Sequence, residues 1–291
     1  MESEDETVLQ YASMICQVVQ PEVVHFMHIA ETLDLPNELF DESGRQSLVA
    51  SYREILAQRV GAQFKASEGS AIEFQVSEGG PLVEMLHGAK TNDIDLIIVG
   101  YRHKAEGGSK LPERLARKAP CSVLVVPEGT QPTIENMLVA TDFSDHSADA
   151  LNAAIAFGSS SGINELICLH IYAVPPAHYK IGKTFDEFDA IMRSHAAENY
   201  ERFIAGIDLK GLTVRPVFTH KKKPGYGILE IAKEEQADLV IIGAQGRTTS
   251  AVMLLGSVAQ RVITHTETPV LAVKKKGAES TMRFLEAFFR I

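Results

Sequence analysis

Short apolar runs recur along the chain, and the longer segments between them have apolar residues at helical spacing. Residues 96–99 (LIIV), 122–126 (SVLVV) and 239–242 (LVII) are almost continuously apolar and rich in β-branched side chains. Such runs predict buried strands of a parallel sheet, because strands covered on both faces lose the alternation of apolar and polar residues. Segments such as residues 147–157 predict helices that cover the sheet. The pattern therefore indicates an α/β protein.

The order of these runs repeats once along the chain. Residues 95–100 (DLIIVG) match residues 238–243 (DLVIIG) at an offset of 143. Residues 122–126 match residues 269–273 (PVLAV) at an offset of 147, and the runs VHFMHI and ICLHI both end in His-Ile. Three landmarks in the same order predict two similar domains in tandem. The growth of the offset shows that the loop after DLIIVG is four residues shorter in the first copy.

The repeat divides the chain into two domains, residues 1–132 and residues 133–276, followed by a C-terminal helical tail, residues 277–291. The tail is rich in phenylalanine, and we expect it to pack on either domain or to contact another chain. The first copy has no apolar run before Glu6 and so lacks its first strand. Either the sequence starts after that strand, which we favour, or another segment or chain fills its place.

Glycines follow the strand predicted at residues 239–242. Gly243 and Gly246 come directly after it, and Gly256 with Ser257 opens the next helical pattern. Glycine lets a backbone approach a phosphate closely, and the first-turn amides of a helix carry partial positive charge. A strand, a glycine-rich loop and a helix start in this order predict an anion site in the second copy.

Composition narrows the class of ligand. The 291 residues are 45% hydrophobic and carry a formal net charge of −10, which argues against non-specific binding to nucleic acid or anionic membranes. No apolar run reaches the roughly 20 residues that span a bilayer, and the acidic start is the reverse of a signal peptide. We interpret Cys16, Cys121 and Cys168 as buried small hydrophobes in a reducing compartment, and so we expect a cytoplasmic protein.

The glycine spacing also carries a family resemblance. Gly243, Gly246, Gly256 and Ser257 form the pattern Gly-x2-Gly-x9-Gly-Ser, and the segment VATDFSDHS follows the first strand of the same copy. In these stretches the second copy resembles the universal stress proteins, whose ATP-binding members carry Gly-x2-Gly-x9-Gly-(Ser/Thr). The resemblance implies two doubly wound, Rossmann-like domains with open parallel sheets of strand order 3-2-1-4-5, and a ligand where that order reverses. It also implies ATP, or ADP or AMP, with Mg²⁺ bridging the phosphates.

The resemblance gives each position of this site a role. Loop and helix-start amides hold the phosphates, the end of the first strand lies at the adenosine, and the backbone of Ile171 lies at the adenine edge. For Asp142 a turn or helix cap is the alternative, and His170 is better explained as a core residue. Lys221 to Lys223 are better explained as solvated charges, while Arg247 fits a phosphate contact and a surface position equally well. The predicted nucleotide-binding residues are Ala140, Thr141, Asp142, Ile171, Ile242, Gly243, Gly246, Arg247, Gly256, Ser257 and Val258.

The first copy departs from the family pattern. Gly100 is retained, but His103 stands where the second glycine should be, and Ser109 with Lys110 takes the place of the last Gly-Ser pair. The loop is short and the first strand is missing. We therefore expect only the second copy to bind nucleotide.

Three functions remain open from the sequence. The first is a regulatory universal stress protein of the stress response that binds an adenine nucleotide, since no catalytic residues and no metal-ligand set are recognised. The second is a weak ATPase or nucleotidyl-transfer enzyme, and the third is a nucleotide-free scaffold that binds a protein partner. The resemblance further implies an intramolecular pseudo-dimer joined through the fifth strands of the two copies, and a homodimer of whole chains stays open.

Overall fold

A computed structural model describes residues 3–30, 42–102, 110–174, 182–246 and 255–275. In the first copy the elements are α1 (Ser3–Val19), β1 (Val23–Ala30), α2 (Glu42–Gln63), β2 (Ala71–Glu78), α3 (Pro81–Thr91), β3 (Leu96–Tyr101), α4 (Leu111–Lys118) and β4 (Ser122–Pro127). In the second copy they are β5 (Met137–Ala140), α5 (Asp145–Ser161), β6 (Glu165–Tyr172), α6 (Phe185–Ile204), β7 (Thr213–His220), α7 (Pro224–Glu234), β8 (Leu239–Gly243), α8 (Ser257–His265) and β9 (Val270–Val273). Strands and helices alternate in both copies, as the apolar pattern predicts. The tail at residues 277–291 lies outside the described residues.

The second copy is a complete doubly wound sheet. Its strands lie in the order β9-β8-β5-β6-β7, and every pair within the copy is parallel. Counted from the first strand of the copy, this is the predicted order 3-2-1-4-5. All four residues of β5 are buried between β6 and β8. The almost continuously apolar sequence of the central strand is thus explained by helices on both faces and strands on both edges.

Local sequence sets where the helices of this copy begin. Thr184 and Glu187 form a capping box at the start of α6, in which each side chain accepts from the other residue's backbone amide. The helix α7 begins at Pro224, because proline at the first helical position has the required φ and needs no amide partner.

The last strands of the two copies join them into one sheet. β4 pairs antiparallel with β9, with Val123 opposite Ala272 and Val125 opposite Val270, so that seven strands are continuous. This is the arrangement that the resemblance implies for an intramolecular pseudo-dimer. The Tyr101 hydroxyl reinforces it by donating to the backbone carbonyl of Thr264 at 2.6 Å.

Lys274 also crosses from the second copy to the first. Its Nζ donates to the carbonyls of Arg117 at 3.0 Å and Ala119 at 2.7 Å, at the end of α4. The last carbonyls of a helix lack intrahelical partners and carry partial negative charge, so an ammonium group is well matched to them. Burial nevertheless lowers the pKa of Lys274 to about 8, because a low-dielectric surrounding disfavours the charged form.

We expect protein stability to depend on pH through Lys274. Its pKa falls from 10.5 to about 8 on folding, so between these values the unfolded chain binds more protons at this site. The free energy of unfolding therefore gains a contribution that rises with pH in that window. Urea unfolding at about pH 7 and about pH 9.5 should show a smaller rise for Lys274→Met than for wild type. The exposed neighbour supplies the control, Lys275→Met, which should keep the wild-type rise; equal behaviour of the two variants would contradict the assignment.

The first copy is split where its first strand should be. β1 pairs with β2, and β3 pairs with β4, but no strand of the described residues lies between β1 and β3. A cavity of about 1420 Å³ lies there, lined by both strands and by side chains of α1 and α3. The absence of an apolar run before Glu6 thus corresponds to a gap in the sheet.

Two further findings concern the sequence-based expectations. None of the described helices is both long and apolar enough to cross a membrane.

Cys16, Cys121 and Cys168 are buried and form no disulfide. Burial raises the pKa of the Cys168 thiol to about 12, so this side chain stays protonated and unreactive at neutral pH.

Candidate functional site

The candidate site lies at the carboxyl ends of β5 and β8, where the strand order reverses. Ala140 and Ile242 are buried and pair directly at the ends of these neighbouring parallel strands. The segments that follow, beginning at Thr141 and Gly243, therefore leave the sheet side by side. In open α/β sheets this switch point forms a crevice outside the strand ends, which is where ligands bind.

The loop after β5 is fixed by its own polar side chains. The Thr141 hydroxyl donates to Ser147 Oγ at 3.0 Å and accepts from the amide of Phe143 at 2.9 Å. Asp142 Oδ1 accepts from the amide of Ser144 at 3.1 Å and from its hydroxyl at 2.5 Å. Ser144 in turn caps α5 by accepting from the amide of Ser147. One carboxylate oxygen of Asp142 therefore stabilises the turn before the helix cap, which is the role that the alternative interpretation gives to this residue.

The other oxygen of Asp142 faces the glycine loop. A Cβ atom added to Gly246 would lie 2.9 Å from Asp142 Oδ2, so this carboxylate occupies the space that a side chain at 246 would need. A Cβ atom at Gly243 would lie 2.7 Å from the backbone carbonyl oxygen of His146 in the first turn of α5. The absence of side chains at both positions brings the loop against the end of β5 and the start of α5.

Gly256 begins α8 without a capping side chain. It is the N-cap residue, with φ −60° and ψ 146°, and it has no side chain that could accept from the first-turn amides. Its own amide donates to the Ala244 carbonyl at 2.9 Å, which closes the loop. This differs from the expectation that the Gly256 amide faces a phosphate. Ser257 and Val258 are the first two residues of α8, where backbone amides have no intrahelical partner.

The next strand contributes a histidine and an isoleucine. His170 Nδ1 lies 2.9 Å from the Thr141 carbonyl, and its ring stacks on Phe143 with centroids 4.3 Å apart. These contacts fit the interpretation of His170 as a structural residue that holds the loop. Ile171 lies beyond the end of β5 and packs against α7, where a Cβ atom on Gly227 would come within 2.8 Å of its Cδ1.

Basic residues beside the site have intramolecular partners. Lys221 Nζ lies 2.7 Å from Glu230 Oε1, and Lys223 Nζ lies 5.7 Å from the centroid of the Tyr226 ring. Arg247 lies outside the described residues, so its two interpretations stay open. Within the part of the chain that is described, no group of three or more His, Cys, Asp or Glu side chains could hold a metal ion.

The equivalent region of the first copy is only partly described. Gly100 lies in β3, and Lys110 is the N-cap of α4, where Gly256 caps α8 in the second copy. His103 and Ser109 lie outside the described residues. With no strand between β1 and β3, the described part of this copy has no counterpart of Asp142.

Sequence reasoning missed two contributors to this region. Phe143 adopts φ 63°, a left-handed conformation that non-glycine residues rarely hold, and its ring is fixed by the stack on His170. Asp238 Oδ2 accepts from the amides of Glu135 and Asn136, both at 2.9 Å, and so fixes the entry to β5. A signal for Asp238 exists, because the repeated run begins with aspartate in both copies. No local signal marks the conformation of Phe143.

Comparison with known proteins matches both copies to the same family. The model of the universal stress protein family matches residues 2–127 and again residues 133–274. The chain is similar to Universal stress protein E of Photorhabdus laumondii, 24% identical over 76% of this chain and 75% of that protein. It is also similar to a universal stress protein of Methanocaldococcus jannaschii, 28% identical over 50% of this chain and 97% of that protein. Among solved structures, a universal stress protein from Archaeoglobus fulgidus matches with a TM-score of 0.63 and 19% identity, covering 95% of this chain and 96% of the other.

Proposed function

The chain belongs to the universal stress protein family, and on that premise we propose that its second copy binds an adenine nucleotide. The observation that carries the proposal is the close approach of the glycine loop to Asp142 and to the uncapped start of α8. Amides at a helix start attract phosphate, and Gly256 leaves the start of α8 without a capping side chain. ATP is the proposed ligand, with ADP or AMP as alternatives.

The roles follow from position in the crevice. The phosphates lie at the amides of Ser257 and Val258, with the Ser257 hydroxyl as a further donor, because this side chain is exposed at the helix start. Asp142 Oδ2 lies on the adenosine side of the loop, and the backbone at Ile171 borders the adenine. Mg²⁺ would accompany the nucleotide and neutralise charge on its phosphates, since this ion usually reaches a nucleotide site through the phosphates. The floor of the crevice is formed by Ala140, Thr141 and Ile242.

The thermodynamic effect of binding suggests a regulatory role in the stress response. A ligand that binds only the folded protein stabilises it by about 2.7 kcal/mol at a concentration of 100 Kd. The concentration of nucleotide would thus control the fraction of molecules in which the nucleotide-binding domain is folded. We place the protein in the cytoplasm because its three cysteines are free and buried, as suits a reducing compartment.

We expect one equivalent of nucleotide per chain. Calorimetric titration with ATP and Mg²⁺ should saturate at one site, because the first copy has Lys110 at the start of α4 and, among its described residues, no strand between β1 and β3. Ser257→Ala should weaken binding by about threefold to tenfold through loss of one hydroxyl donor. The matched variant in the first copy, Lys110→Ala, should leave the stoichiometry and affinity unchanged. Two equivalents per chain, or a loss of affinity in Lys110→Ala, would contradict the proposal.

A further inference from the structure

A locally basic surface lies on α7 and α8 of this acidic protein. Lys222 and Lys223 precede α7, Tyr226 lies in its first turn, and Arg261 and His265 lie in α8. We call these five residues the basic surface. All of them are exposed except His265, which is half-buried. The whole chain carries a formal net charge of −10, so the basic surface differs in sign from the rest of the molecule.

The basic groups converge on the ring of Tyr226. Lys223 Nζ lies 5.7 Å and Arg261 Cζ 5.2 Å from the ring centroid, and the His265 ring meets it edge-on with centroids 5.2 Å apart. Arg261 Nη1 donates to the Tyr226 hydroxyl at 3.4 Å, and His265 Nε2 lies 3.4 Å from the same oxygen. Cations are attracted to the face of an aromatic ring, and this attraction offsets the repulsion between them.

Gly225 fixes the position of Arg261. A Cβ atom at Gly225 would lie 2.7 Å from Arg261 Cβ, 2.8 Å from its Cγ and 3.3 Å from the Val258 carbonyl oxygen. The stem of Arg261 therefore lies directly against the backbone of α7, with its guanidinium beside the ring. Stacking uses the face of a guanidinium, whereas a carboxylate binds at its edge. A side chain that is already held in place loses less conformational entropy when a partner binds.

Carboxylates of the described residues do not neutralise the basic surface. Lys221, which precedes it, forms an ion pair with Glu230, with Nζ and Oε1 2.7 Å apart. None of the ion pairs among the described residues includes Lys222, Lys223 or Arg261. The complementary charge can therefore come from a molecule that binds there.

The first copy does not repeat this surface. At the offset of 143 residues, the two lysines and the tyrosine correspond to Gly79, Gly80 and Val83. At the offset of 147 residues, the arginine corresponds to Arg114, which is also exposed. The first copy thus retains one cation and lacks the aromatic ring and the lysines. Arg114 therefore provides a control of the same residue type on the counterpart helix.

We propose that the basic surface binds a short acidic segment of a partner protein. One carboxylate of the segment forms a bidentate pair with the guanidinium edge of Arg261, and a second carboxylate pairs with Lys222 or Lys223. The methylene groups between them pack on the ring of Tyr226. Arginine and tyrosine are among the residue types that dominate the energy of protein interfaces.

The charge distribution favours a short peptide over nucleic acid or a membrane. Electrostatic interactions in water are screened beyond about 8 Å at physiological ionic strength, so a short segment interacts with the basic surface alone. A DNA duplex or an anionic bilayer extends much further and also meets the acidic remainder of the protein, which repels it.

Calorimetry with a defined peptide tests the proposal. Acetylated and amidated hexaglutamate should bind the full chain without nucleotide, and binding should weaken by about tenfold or more between roughly 50 and 500 mM salt. Hexaglutamine should not bind. Arg261→Ala should weaken binding by about tenfold or more, whereas Arg114→Ala should keep the wild-type affinity. Absence of hexaglutamate binding, wild-type affinity in Arg261→Ala, or equal loss in both variants would overturn the proposal.

Further variants and ligands separate the basic surface from general attraction by positive charge. Arg261→Lys keeps the charge but lacks the planar fork, so we expect a loss of about threefold. Tyr226→Ala should weaken binding by about threefold to tenfold, and thermal unfolding should show that both variants remain folded. A short DNA duplex or phosphatidylglycerol vesicles that bind more tightly than hexaglutamate, and through Arg261, would overturn the choice of partner. Dimers of the wild type that dissociate in Arg261→Ala would identify a second copy as the occupant instead.

Discussion

Replacement of Gly256 by aspartate should abolish nucleotide binding while leaving the protein as stable as before or slightly more stable. Gly256 has the extended backbone of an N-cap, and a Cβ atom there would meet no heavy atom closer than 3.7 Å. Aspartate at this position accepts from first-turn amides and interacts favourably with the helix dipole, worth a few tenths of a kcal/mol to about 1 kcal/mol relative to glycine. The same carboxylate takes the amides that phosphate needs and repels the phosphate. We expect affinity for ATP to fall by about 100-fold or more.

Two measurements and one control make this result decisive. Calorimetry with ATP and Mg²⁺ gives the affinity, and thermal unfolding without nucleotide gives the stability. Gly206→Asp introduces the same charge after α6, where an added Cβ meets no heavy atom within 4 Å, and should bind as wild type does. Wild-type affinity in Gly256→Asp would mean that phosphates do not lie at the start of α8. Unfolding of this variant would mean that the N-cap geometry has been misread.

Replacement of Gly243 by alanine should destabilise the protein and remove the site together. The added Cβ would lie 2.7 Å from the His146 carbonyl oxygen and 3.0 Å from its carbonyl carbon, and both are backbone atoms. Neither can move without separating the end of β8 from the first turn of α5. We expect a loss of roughly 1–3 kcal/mol in the free energy of unfolding, the range for an overpacked core. Denaturant unfolding monitored by circular dichroism measures it.

A second glycine in the same copy provides the comparison for Gly243. A Cβ atom at Gly158 in α5 would come within 2.7 Å of Leu212 Cδ2 and 3.3 Å of Met137 Cε, which are the ends of flexible side chains. Alanine also gains about 0.8–1 kcal/mol over glycine inside a helix. Gly158→Ala should therefore cost clearly less than Gly243→Ala. If Gly158→Ala is the more damaging variant, the backbone contact of Gly243 is not the constraint that we describe.

Much of the fold follows from the sequence because its determinants are local. Continuous apolar runs located the strands, and the copies of DL(I/V)I(I/V)G at an offset of 143 revealed the tandem repeat. The family, the α/β class and the strand order of the second copy were confirmed. The bounds of α2, Glu42–Gln63, are not encoded in the same way, because its polar ends lack the apolar spacing by which a helix is recognised.

The candidate site was only partly accessible to the same reasoning. Glycine spacing marked Gly243, Gly246 and Gly256, because the sequence itself shows which positions of the loop have no side chain. It could not show that the Gly256 amide closes on Ala244, nor that the hydroxyl of Thr141 is committed to the turn before α5. Each of these hydrogen bonds depends on which of several nearby acceptors lies in the right geometry for the donor once the backbone has folded.

The sequence by itself determined the two copies, their apolar strands, the glycine loop of the second copy and the shorter loop of the first. These features depend on periodicity and side-chain size, which act between residues close in the chain. The tertiary structure decided that Asp238 holds the entry to β5, that Lys274 caps a helix of the other copy, and that, among the described residues, a cavity separates β1 from β3. Asp238 binds amides more than 100 residues away, and Lys274 reaches carbonyls about 155 residues away. Contacts at such separations are fixed by packing of the whole sheet, and no local pattern encodes them.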